Sequence, residues 1–510
     1  MAEQVNAGAG AEDVVGALHK APQECAEALA RLEAQCFPAD EAASLETIQM
    51  RLRVAGDFFW MMQGGDGEIV GFVNGTCAQG AEIEHDSMTT HVAPPAGRSL
   101  VIHSVSVSPK MRRRGLGLFM LKAYVERVSS EQAGQLDRIL LLCKPRLLQL
   151  YLSAGFAVLR QSPVVHGQEV WFELGIDLAA RRRVLRRYCP LSVVDAFSTR
   201  RFGGNPAAVV LQEKHQRHAA DERWMQQVAT ENNLAETAFL VPTETPGSYG
   251  LRWFTPACEI ALCGHATLAS MHFLLTSGCV SVGQKVSFQT QSGTLCAVGL
   301  CDEPNPNPNS NPKPNLTLTI IELDFPKTPP VEIDATTQRE AQLAKLALLR
   351  QALPGLEAED VLYMGLTQQE DLLVEVTGHR MAALGKADVA LDLTALTRLG
   401  GRGLILTCVG GSGHAGAGWD ARFDFISRFF APGVGIPEDP VTGSAHCALA
   451  PYWQQRLALG EGERRMLGFQ ASKRGGEVGV LCCGDRVKLY GSCVTHSEGF
   501  LSDDVGACDV

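Results

Sequence analysis

The chain has 510 residues, of which 45% are hydrophobic and 20% are charged, as in folded globular proteins and unlike disordered or fibrous ones. The length favours about two to four domains. A net charge of −11 argues against a general role in binding nucleic acid.

The spacing of the cysteines and the composition of the N-terminal residues indicate the cellular location. The first twenty residues lack both a basic start and an apolar core, and no apolar run approaches the roughly 18 residues that span a bilayer. The 16 cysteines are scattered without a paired CxxC set. We therefore expect a cytoplasmic location with reduced thiols, no membrane association and no metal.

Three stretches divide the chain. Residues 177–190 contain an arginine-rich run that predicts a solvated linker, and residues 303–315 form an Asn/Pro tract that predicts a disordered insertion. The third, the glycine-rich run Val409–Asp420, lacks the spacing of a phosphate loop and indicates a flexible loop. The expected boundaries are a flexible N-terminus at 1–24, a first domain at 25–176, the linker, a second domain at 191–503 and a tail at 504–510.

The first domain has a mixed pattern. Helices are predicted between Glu27 and Arg53, strands in Glu68–Cys77 and Ser99–Pro109, and an amphipathic helix in Met111–Val128.

Between the second strand and this last helix lies an RxxGxG turn, a sequence suited to binding an anion. Its glycines allow backbone N–H groups to approach a phosphate, the helix N-terminus adds positive potential, and arginines can pair with phosphate oxygens. The predicted cofactor-binding residues are Arg112, Arg113, Arg114, Gly115, Leu116 and Gly117.

The order of these motifs resembles the GNAT acetyltransferase superfamily. The resemblance includes the later Tyr151, Gly155 and Phe156, while CFPADEAAS and DFFWMM resemble its arylalkylamine N-acetyltransferase branch. It implies acetyl-CoA as co-substrate, His103 as the group that deprotonates the amine through water, and Tyr151 as the acid that protonates the departing thiolate. A second histidine, usual in that branch two residues earlier, is replaced by Val101, so His85 or His91 could take part instead.

The second domain begins with the predicted strand LSVVDAF and alternates strands with helices. Two of its stretches look alike: each has an aromatic strand, a polar turn with glycine and a helix entry of small residues, GHATLAS and TGSAHCALA. This pattern indicates an internal duplication. Two such helix ends that face each other could bind a carboxylate between the halves.

Four motifs in order, VVDAFSTRRFGGNPAAVV, NNLAETAFLV, FTPACEIALCGHATLA and PEDPVTGSAH, resemble the PhzF-like isomerase family of phenazine biosynthesis. That resemblance implies a diaminopimelate-epimerase-like fold of two halves, each a sheet around a central helix. It implies that Glu236 is the acid/base residue, with His265 and Asp439 as polar partners. Gly264, Gly443 and Ser444 would bind the substrate carboxylate, without cofactor or metal.

Cys263 raises a competing interpretation, because in the epimerase branch of this fold two cysteines serve as acid and base. Cys263 stands at the first of those positions, but PEDPVTGSAH offers no cysteine for the second, so a two-thiol racemase is disfavoured. Cys263 is expected to be a buried bystander, with an auxiliary role left open, and Glu259 to be structural.

The expected architecture is therefore α/β and α+β, an N-terminal GNAT fold followed by a two-lobed diaminopimelate-epimerase-like fold. Both domains could catalyse, acting on small molecules. Alternatively, one domain could be catalytic while the other is a binding or dimerisation module, or an acyl-CoA sensor. A homodimer through the second domain is expected, but neither substrate follows from the sequence.

Overall fold

A computed structural model describes residues 18–502, except for 65–66, 85–86, 88–89, 113–114, 164–169, 182–187, 214–220, 301–319, 335–336, 386–390, 412–418 and 461. Several predicted features therefore lie outside the described residues. They are most of the flexible N-terminus, the centre of the linker, the Asn/Pro insertion, most of the glycine-rich loop Val409–Asp420, the tail, His85, Arg113 and Arg114.

The N-terminal unit is a twisted sheet with helices, as predicted. Its helices are α1 (Ala26–Cys36), α2 (Leu45–Val54), α3 (Leu116–Glu131) and α4 (Leu148–Ser153). Its strands are β1 (His19–Lys20), β2 (Phe59–Gln63), β3 (Ile69–Ala78), β4 (Ser99–Val107), β5 (Arg138–Cys143), β6 (Ala157–Gln161) and β7 (Phe172–Asp177). The start of α2 is fixed by Ser44, whose hydroxyl accepts a hydrogen bond from the Thr47 backbone N–H at 3.2 Å.

The sheet of this unit runs in the order β1-β2-β3-β4-β5-β7-β6. Between β3 and β4 the register shifts: Asn74 pairs with Ser104, but the next residue, Gly75, pairs with Ile102. His103 is therefore the extra residue of a β-bulge, a feature that breaks the ladder and redirects side chains. Gly75 suits this position because a Cβ there would lie 2.6 Å from the Val101 carbonyl oxygen.

The C-terminal unit begins at β8 (Tyr188–Ala196). The remaining strands of its first half are β9 (Asn205–Leu211), β10 (Glu236–Pro242), β11 (Ser248–Phe254), β12 (Glu259–Ile260), β13 (Lys285–Thr290), β14 (Gly293–Leu300) and β15 (Ile320–Pro326). The second half contains β16 (Val331–Glu332), β17 (Val361–Leu366), β18 (Leu372–Val376), β19 (Leu404–Val409), β20 (Phe425–Ala431), β21 (Ile436–Asp439), β22 (Met466–Gln470), β23 (Gly476–Cys483), β24 (Arg486–Gly491) and β25 (Cys493–Ser502). The helices are α5 (Glu222–Asn232), α6 (Gly264–Thr276), α7 (Arg339–Ala352), α8 (Gly378–Leu384), α9 (Leu393–Arg398) and α10 (Gly443–Arg456).

The two halves repeat one pairing pattern, which confirms the predicted duplication. In the first half β10 is parallel to β9 and antiparallel to β11, which is in turn parallel to β13. In the second half β19 is parallel to β18 and antiparallel to β20, which is parallel to β22. The halves join where β15 pairs with β24, and β25 returns to pair with β8.

A helix lies at the centre of each half. Helix α6 is buried on all sides from Gly264 to Leu275, and α10 is buried over most of its length. This explains why neither sequence is amphipathic, since a helix surrounded by sheet has no polar face. Helices α6 and α10 each follow a short strand, β12 or β21, so the two polar turns seen in the sequence occupy equivalent places.

The two units have separate hydrophobic cores, and they touch through α3. One core joins residues between Leu18 and Leu178, and another joins residues between Val194 and Cys493. At the contact, a Cβ on Gly278, just after α6, would lie 2.6 Å from the Ala123 backbone nitrogen. Glu126 on α3 also pairs with Arg181 at 2.8 Å. In the described part of the chain, no helix combines the length and apolarity needed to cross a bilayer.

Candidate active sites

The C-terminal unit brings Glu236, His265 and Asp439 together between its halves. Glu236 is the first residue of β10, His265 the second of α6 and Asp439 the last of β21. Their exposed fractions are 6%, 4% and 8%. The buried apolar run after Glu236 fits a strand paired on both sides, with β9 and β11. The carboxylate of Glu236 is thus not a solvated charge at a strand end.

The imidazole of His265 is the centre of this cluster. Its Nε2 lies 2.9 Å from Glu236 Oε2, and its Nδ1 lies 3.5 Å from Cys263 Sγ. Asn205 Nδ2 lies 3.1 Å from the same Nδ1 and donates to Asp439 Oδ1 at 2.8 Å. Asn205 therefore links the histidine to the second carboxylate, a role that the sequence argument missed although Asn205 lies within VVDAFSTRRFGGNPAAVV.

The pKa values of the cluster are coupled. Burial disfavours the charged imidazolium, but the Cys263 sulfur and the Glu236 carboxylate beside the ring outweigh it and raise the pKa of His265 well above its ordinary value. Burial raises the pKa of Asp439 to about 6; nearby Glu236 adds to this, while His265, Thr442 and Asn205 oppose it. Burial, with Glu236, also raises the pKa of the Cys263 thiol. The cluster can therefore hold or release a proton near neutral pH.

The N-terminal ends of α6 and α10 meet beside these side chains. A Cβ on Gly264 would lie 3.0 Å from the Gly443 Cα, so both positions require the close approach that glycine allows. Neither helix has a side-chain hydrogen-bond cap, which leaves backbone N–H groups available to a ligand. Two adjacent helix N-termini form a site suited to a carboxylate. Ser444, in the first turn of α10, receives a hydrogen bond from Arg402 at 3.2 Å.

Thr442 occupies the place in the second half that Cys263 occupies in the first. The two are the N-cap residues of α10 and α6. Thr442 donates a hydrogen bond through Oγ1 to Asp439, and Gln470 accepts from its backbone N–H at 2.9 Å. A threonine hydroxyl is not an acid/base group near neutral pH, so this arrangement does not supply the second thiol of a two-cysteine racemase.

Cys263 also belongs to a group of donors with metal-binding chemistry. One ligand atom each from Glu236, Cys263 and His265 lies within 4.8 Å of the others. Sulfur, imidazole and carboxylate are ligands that Zn²⁺ accepts. The absence of a metal therefore stays a prediction. The other acid in question, Glu259, pairs with Arg252 at 2.6 Å, in keeping with a structural role.

The N-terminal unit holds a cavity of about 1020 Å³. Of the residues predicted to bind the cofactor, the described ones, Arg112, Gly115, Leu116 and Gly117, line it, as do His103 and Tyr151. Gly115 has φ 75°, the left-handed region that glycine adopts most readily, and is the N-cap of α3 without a side-chain cap. A Cβ on Gly117 would meet only Val107, at 3.6 Å. This open, uncapped helix start fits a phosphate-bearing group such as that of acyl-CoA.

His103 reaches the cavity from the β-bulge. Its Nε2 lies 2.7 Å from Thr76 Oγ1, and its Nδ1 has no partner among the described residues. Burial, and then the nearby Arg51 cation, lower the pKa of His103 well below its ordinary value. The imidazole is therefore neutral at pH 7, and its lowered pKa makes it a weaker base than a solvated histidine. His91, the described alternative, instead accepts a hydrogen bond from the Cys77 backbone N–H at 3.1 Å and does not line the cavity.

Tyr151 on α4 is buried against Phe156, with ring centroids 6.0 Å apart. Burial, with a smaller effect of Cys143, raises the pKa of its hydroxyl, so the group stays protonated. The cavity also contains charged residues that sequence reasoning missed. They are Glu33, Asp40, Glu41, Arg51, Lys144 and Arg146. Of these, Lys144 and Glu41 form a buried ion pair at 2.7 Å.

Comparison with known proteins divides the chain in the same way. A family model described as phenazine biosynthesis-like protein matches residues 194–499, and one described as acetyltransferase (GNAT) family matches residues 26–156. An uncharacterized isomerase of Halalkalibacterium halodurans is 38% identical over 306 residues, covering 60% of this chain and 96% of the relative. The human phenazine biosynthesis-like domain-containing protein is 38% identical over 323 residues, or 61% and 99% of the two chains. A PhzF-family crystal structure from Enterococcus faecalis is 33% identical, covers 62% of this chain and 99% of its own, and gives a TM-score of 0.47.

Proposed function

Because the chain belongs to the phenazine biosynthesis-like protein family and carries a GNAT acetyltransferase domain ahead of it, we propose that it is a bifunctional enzyme. In this proposal the N-terminal domain transfers an acetyl group from acetyl-CoA to a small amine. The C-terminal domain moves a proton between carbons of a small carboxylate. The observation that carries the proposal is that one chain holds two built sites in units with separate cores.

In the C-terminal site the proposed base is Glu236. The substrate carboxylate would bind at the paired ends of α6 and α10, and Glu236 would take a proton from a neighbouring carbon and return it to another. Burial keeps water from competing for the carboxylate. His265, held at 2.9 Å from Glu236, would orient it and stabilise its charge, and Asp439, with its raised pKa, could hold the proton between the two transfers. The proton count is unchanged, as an isomerisation requires.

In the N-terminal site the proposed base is His103. An amine is protonated at neutral pH and must lose a proton before it attacks a thioester. The neutral imidazole of His103 could accept that proton, directly or through water. Tyr151, which stays protonated, could return a proton to the sulfur that leaves as CoA departs. Acetyl-CoA would be held by the glycine turn at Gly115 and Gly117, with Arg112 beside it.

The test uses the full-length chain and two independent assays. The first measures acetyl-CoA binding by calorimetry and thiol release with a panel of amines. The second measures deuterium incorporation from D₂O into small carboxylates by NMR. We expect Glu236→Gln to reduce deuterium incorporation by about a thousandfold while leaving thiol release unchanged. We expect His103→Gln to reduce thiol release and to leave deuterium incorporation unchanged.

The crossed design separates the alternatives. Loss of one activity in each variant supports two working sites. An absence of acetyl-CoA binding in the parent protein would overturn the transferase half, and wild-type deuterium incorporation in Glu236→Gln would overturn the role of Glu236. If only one assay responds in the parent, the result favours the alternative in which the other domain is a binding or dimerisation module or an acyl-CoA sensor.

A further inference from the structure

Arg51 is a buried cation that lines the N-terminal cavity. It lies on α2 with 6% of its surface exposed, and its Nη1 donates to Asn74 Oδ1 at 3.1 Å. Its Nε is buried without a hydrogen-bond partner, and no carboxylate oxygen of a described residue lies within 4.0 Å of the guanidinium. Buried guanidinium groups are normally paired, because removing an ion from water is costly unless an opposite charge replaces the solvent.

Glu33 is the nearest opposite charge, but it is occupied elsewhere. It is 1% exposed, and its oxygens accept hydrogen bonds from the hydroxyls of Ser104 at 2.7 Å and Ser106 at 2.8 Å, with the Ala43 N–H at 3.4 Å. Burial lowers the pKa of Arg51 to about 10, and the field of Glu33 partly opposes this. Arg51 therefore carries its charge at neutral pH, with only a neutral amide as direct partner.

Two further buried polar atoms near Arg51 lack partners among the described residues. They are Nδ2 of Asn74, the amide that accepts from Arg51, and Nδ1 of His103. His103 is the extra residue of the bulge between β3 and β4, and Asn74 pairs with Ser104, the residue after it. Arg51 and His103 line the cavity and Asn74 lies behind them, so the free N–H of Arg51 marks a place where a ligand supplies an acceptor atom, beside the unpaired ring nitrogen of His103.

The other described cations of the cavity are either paired with a carboxylate, as Lys144 is, or exposed, as Arg112 and Arg146 are. Lys144 pairs with Glu41 at 2.7 Å and lies 5.2 Å from the centre of the Trp171 ring. Arg112 belongs to the glycine turn and donates to the Val107 carbonyl at 3.2 Å. Arg51 thus differs from these cations in being buried without an ionic partner, and it lies close enough to His103, the proposed base, to lower the pKa of its imidazole.

We propose that the ligand transformed in the N-terminal cavity carries a carboxylate that pairs with Arg51, so that the acceptor is an amino acid rather than a plain arylalkylamine. This inference rests on the proposed acetyl transfer. An amino group near His103 and a carboxylate on Arg51 match the two ends of such an acceptor. Both domains would then act on carboxylate-bearing molecules. The same chemistry could instead come from a carboxylated acyl chain on the donor.

The experiment compares matched ligands in the full-length protein. Thiol release is measured for tryptophan against tryptamine and for phenylalanine against phenethylamine, with acetyl-CoA as donor. A second arm uses malonyl-CoA and succinyl-CoA against acetyl-CoA, with tryptamine as acceptor. The variants are Arg51→Gln, Arg51→Lys and the control Arg53→Gln, an exposed arginine on the same helix.

We expect the parent to release thiol more efficiently with the amino acid than with the matched amine. Arg51→Gln should raise the KM for the amino acid about a hundredfold and change the KM for the amine little. Arg51→Lys should recover part of the loss because it restores the charge without the planar fork. Arg53→Gln should behave as the parent. A preference for carboxylated donors that disappears in Arg51→Gln would support the same site but assign the carboxylate to the acyl chain.

Two results would overturn the inference. One is a parent that transfers acetyl groups to amines and amino acids equally well. The other is an amino-acid preference that survives in Arg51→Gln. Calorimetry with N-acetyltryptophan and N-acetyltryptamine on the CoA-saturated protein tests the site without turnover, and equal affinities there would also contradict it. Failure to bind acetyl-CoA in the same calorimeter would instead contradict the proposed function.

Discussion

The two sites handle charge in opposite ways. Between the lobes of the C-terminal unit, His265 Nε2 lies 2.9 Å from the carboxylate of Glu236, and His265 shares Asn205 with Asp439, so opposite charges face each other, although Glu236 Oε2 and His265 Nε2 make no hydrogen bond of good geometry. In the N-terminal cavity, Arg51 and His103 are bonded to neutral groups and retain unpaired atoms. A closed, paired cluster suits a proton that stays within the site. A cavity with unpaired cationic and imidazole groups suits a reaction in which a charged ligand enters and leaves.

The same substitution at the two histidines should expose this difference most strongly. His265→Leu leaves the Glu236 carboxylate buried without its partner and should reduce the free energy of unfolding by about 3–5 kcal/mol. His103→Leu removes one hydrogen bond, to Thr76, and should cost about 1 kcal/mol. Chemical denaturation of both variants, followed by probes specific to each unit, measures the two values. Equal costs would mean that the C-terminal cluster is not held together by paired charge.

The C-terminal site could be predicted from the sequence better than the N-terminal site. Glu236, His265 and Asp439 were assigned through the four motifs that resemble the PhzF-like family, and the internal duplication indicated two helix entries that could face each other. Glycine begins both helices, at Gly264 and Gly443, and the structure places these two residues in close contact. For these positions local pattern and tertiary placement coincide.

Residues far apart in the sequence were harder to connect. Asn205 lies 60 residues before His265 and 234 before Asp439, so nothing local indicated that one amide would bridge both. Arg51 was only one charged residue near the end of the stretch predicted to be helical between Glu27 and Arg53, and exposure is the usual outcome for an arginine. Its burial depends on the sheet beneath α2, and the bulge at His103 depends on the register between β3 and β4. These features follow from tertiary packing and could not be derived from spacing.

A smaller effect concerns pH, through Asp439. Its pKa is raised from 3.8 to about 6 in the folded protein, so the folded state binds the proton more tightly than the unfolded state. The stabilisation from this group is therefore complete below the unfolded pKa and is lost as pH rises through about 6. The loss is on the order of 3 kcal/mol. Asp439→Asn should remove this dependence.

The measurement for Asp439 is the difference in unfolding free energy between the parent and Asp439→Asn from about pH 4 to about pH 7. Hydrogen bonds lost to Asn205 and Thr442 add a constant, so only the slope of the difference is diagnostic. We expect the advantage of the parent to shrink as pH rises. A difference independent of pH would show that Asp439 is ionised throughout and does not hold a proton between transfers.

The smallest effect is expected at the proposed phosphate-binding turn of the N-terminal cavity, where glycine allows a backbone conformation rather than a charge contact. Gly115→Asp introduces a negative charge at the start of α3, and aspartate tolerates the left-handed region better than most residues. We expect acetyl-CoA affinity to fall about tenfold, because the carboxylate repels the phosphates and competes for the helix N-terminus.

Gly134→Asp is the matched control, since Gly134 has φ 82°, follows the other end of α3 and faces open space. Calorimetric titration of both variants separates charge at the turn from strain in the backbone. If the two variants weaken acetyl-CoA binding equally, the glycine turn is not the phosphate site. The N-terminal cavity could then no longer be contrasted, as an open ligand site, with the closed C-terminal cluster.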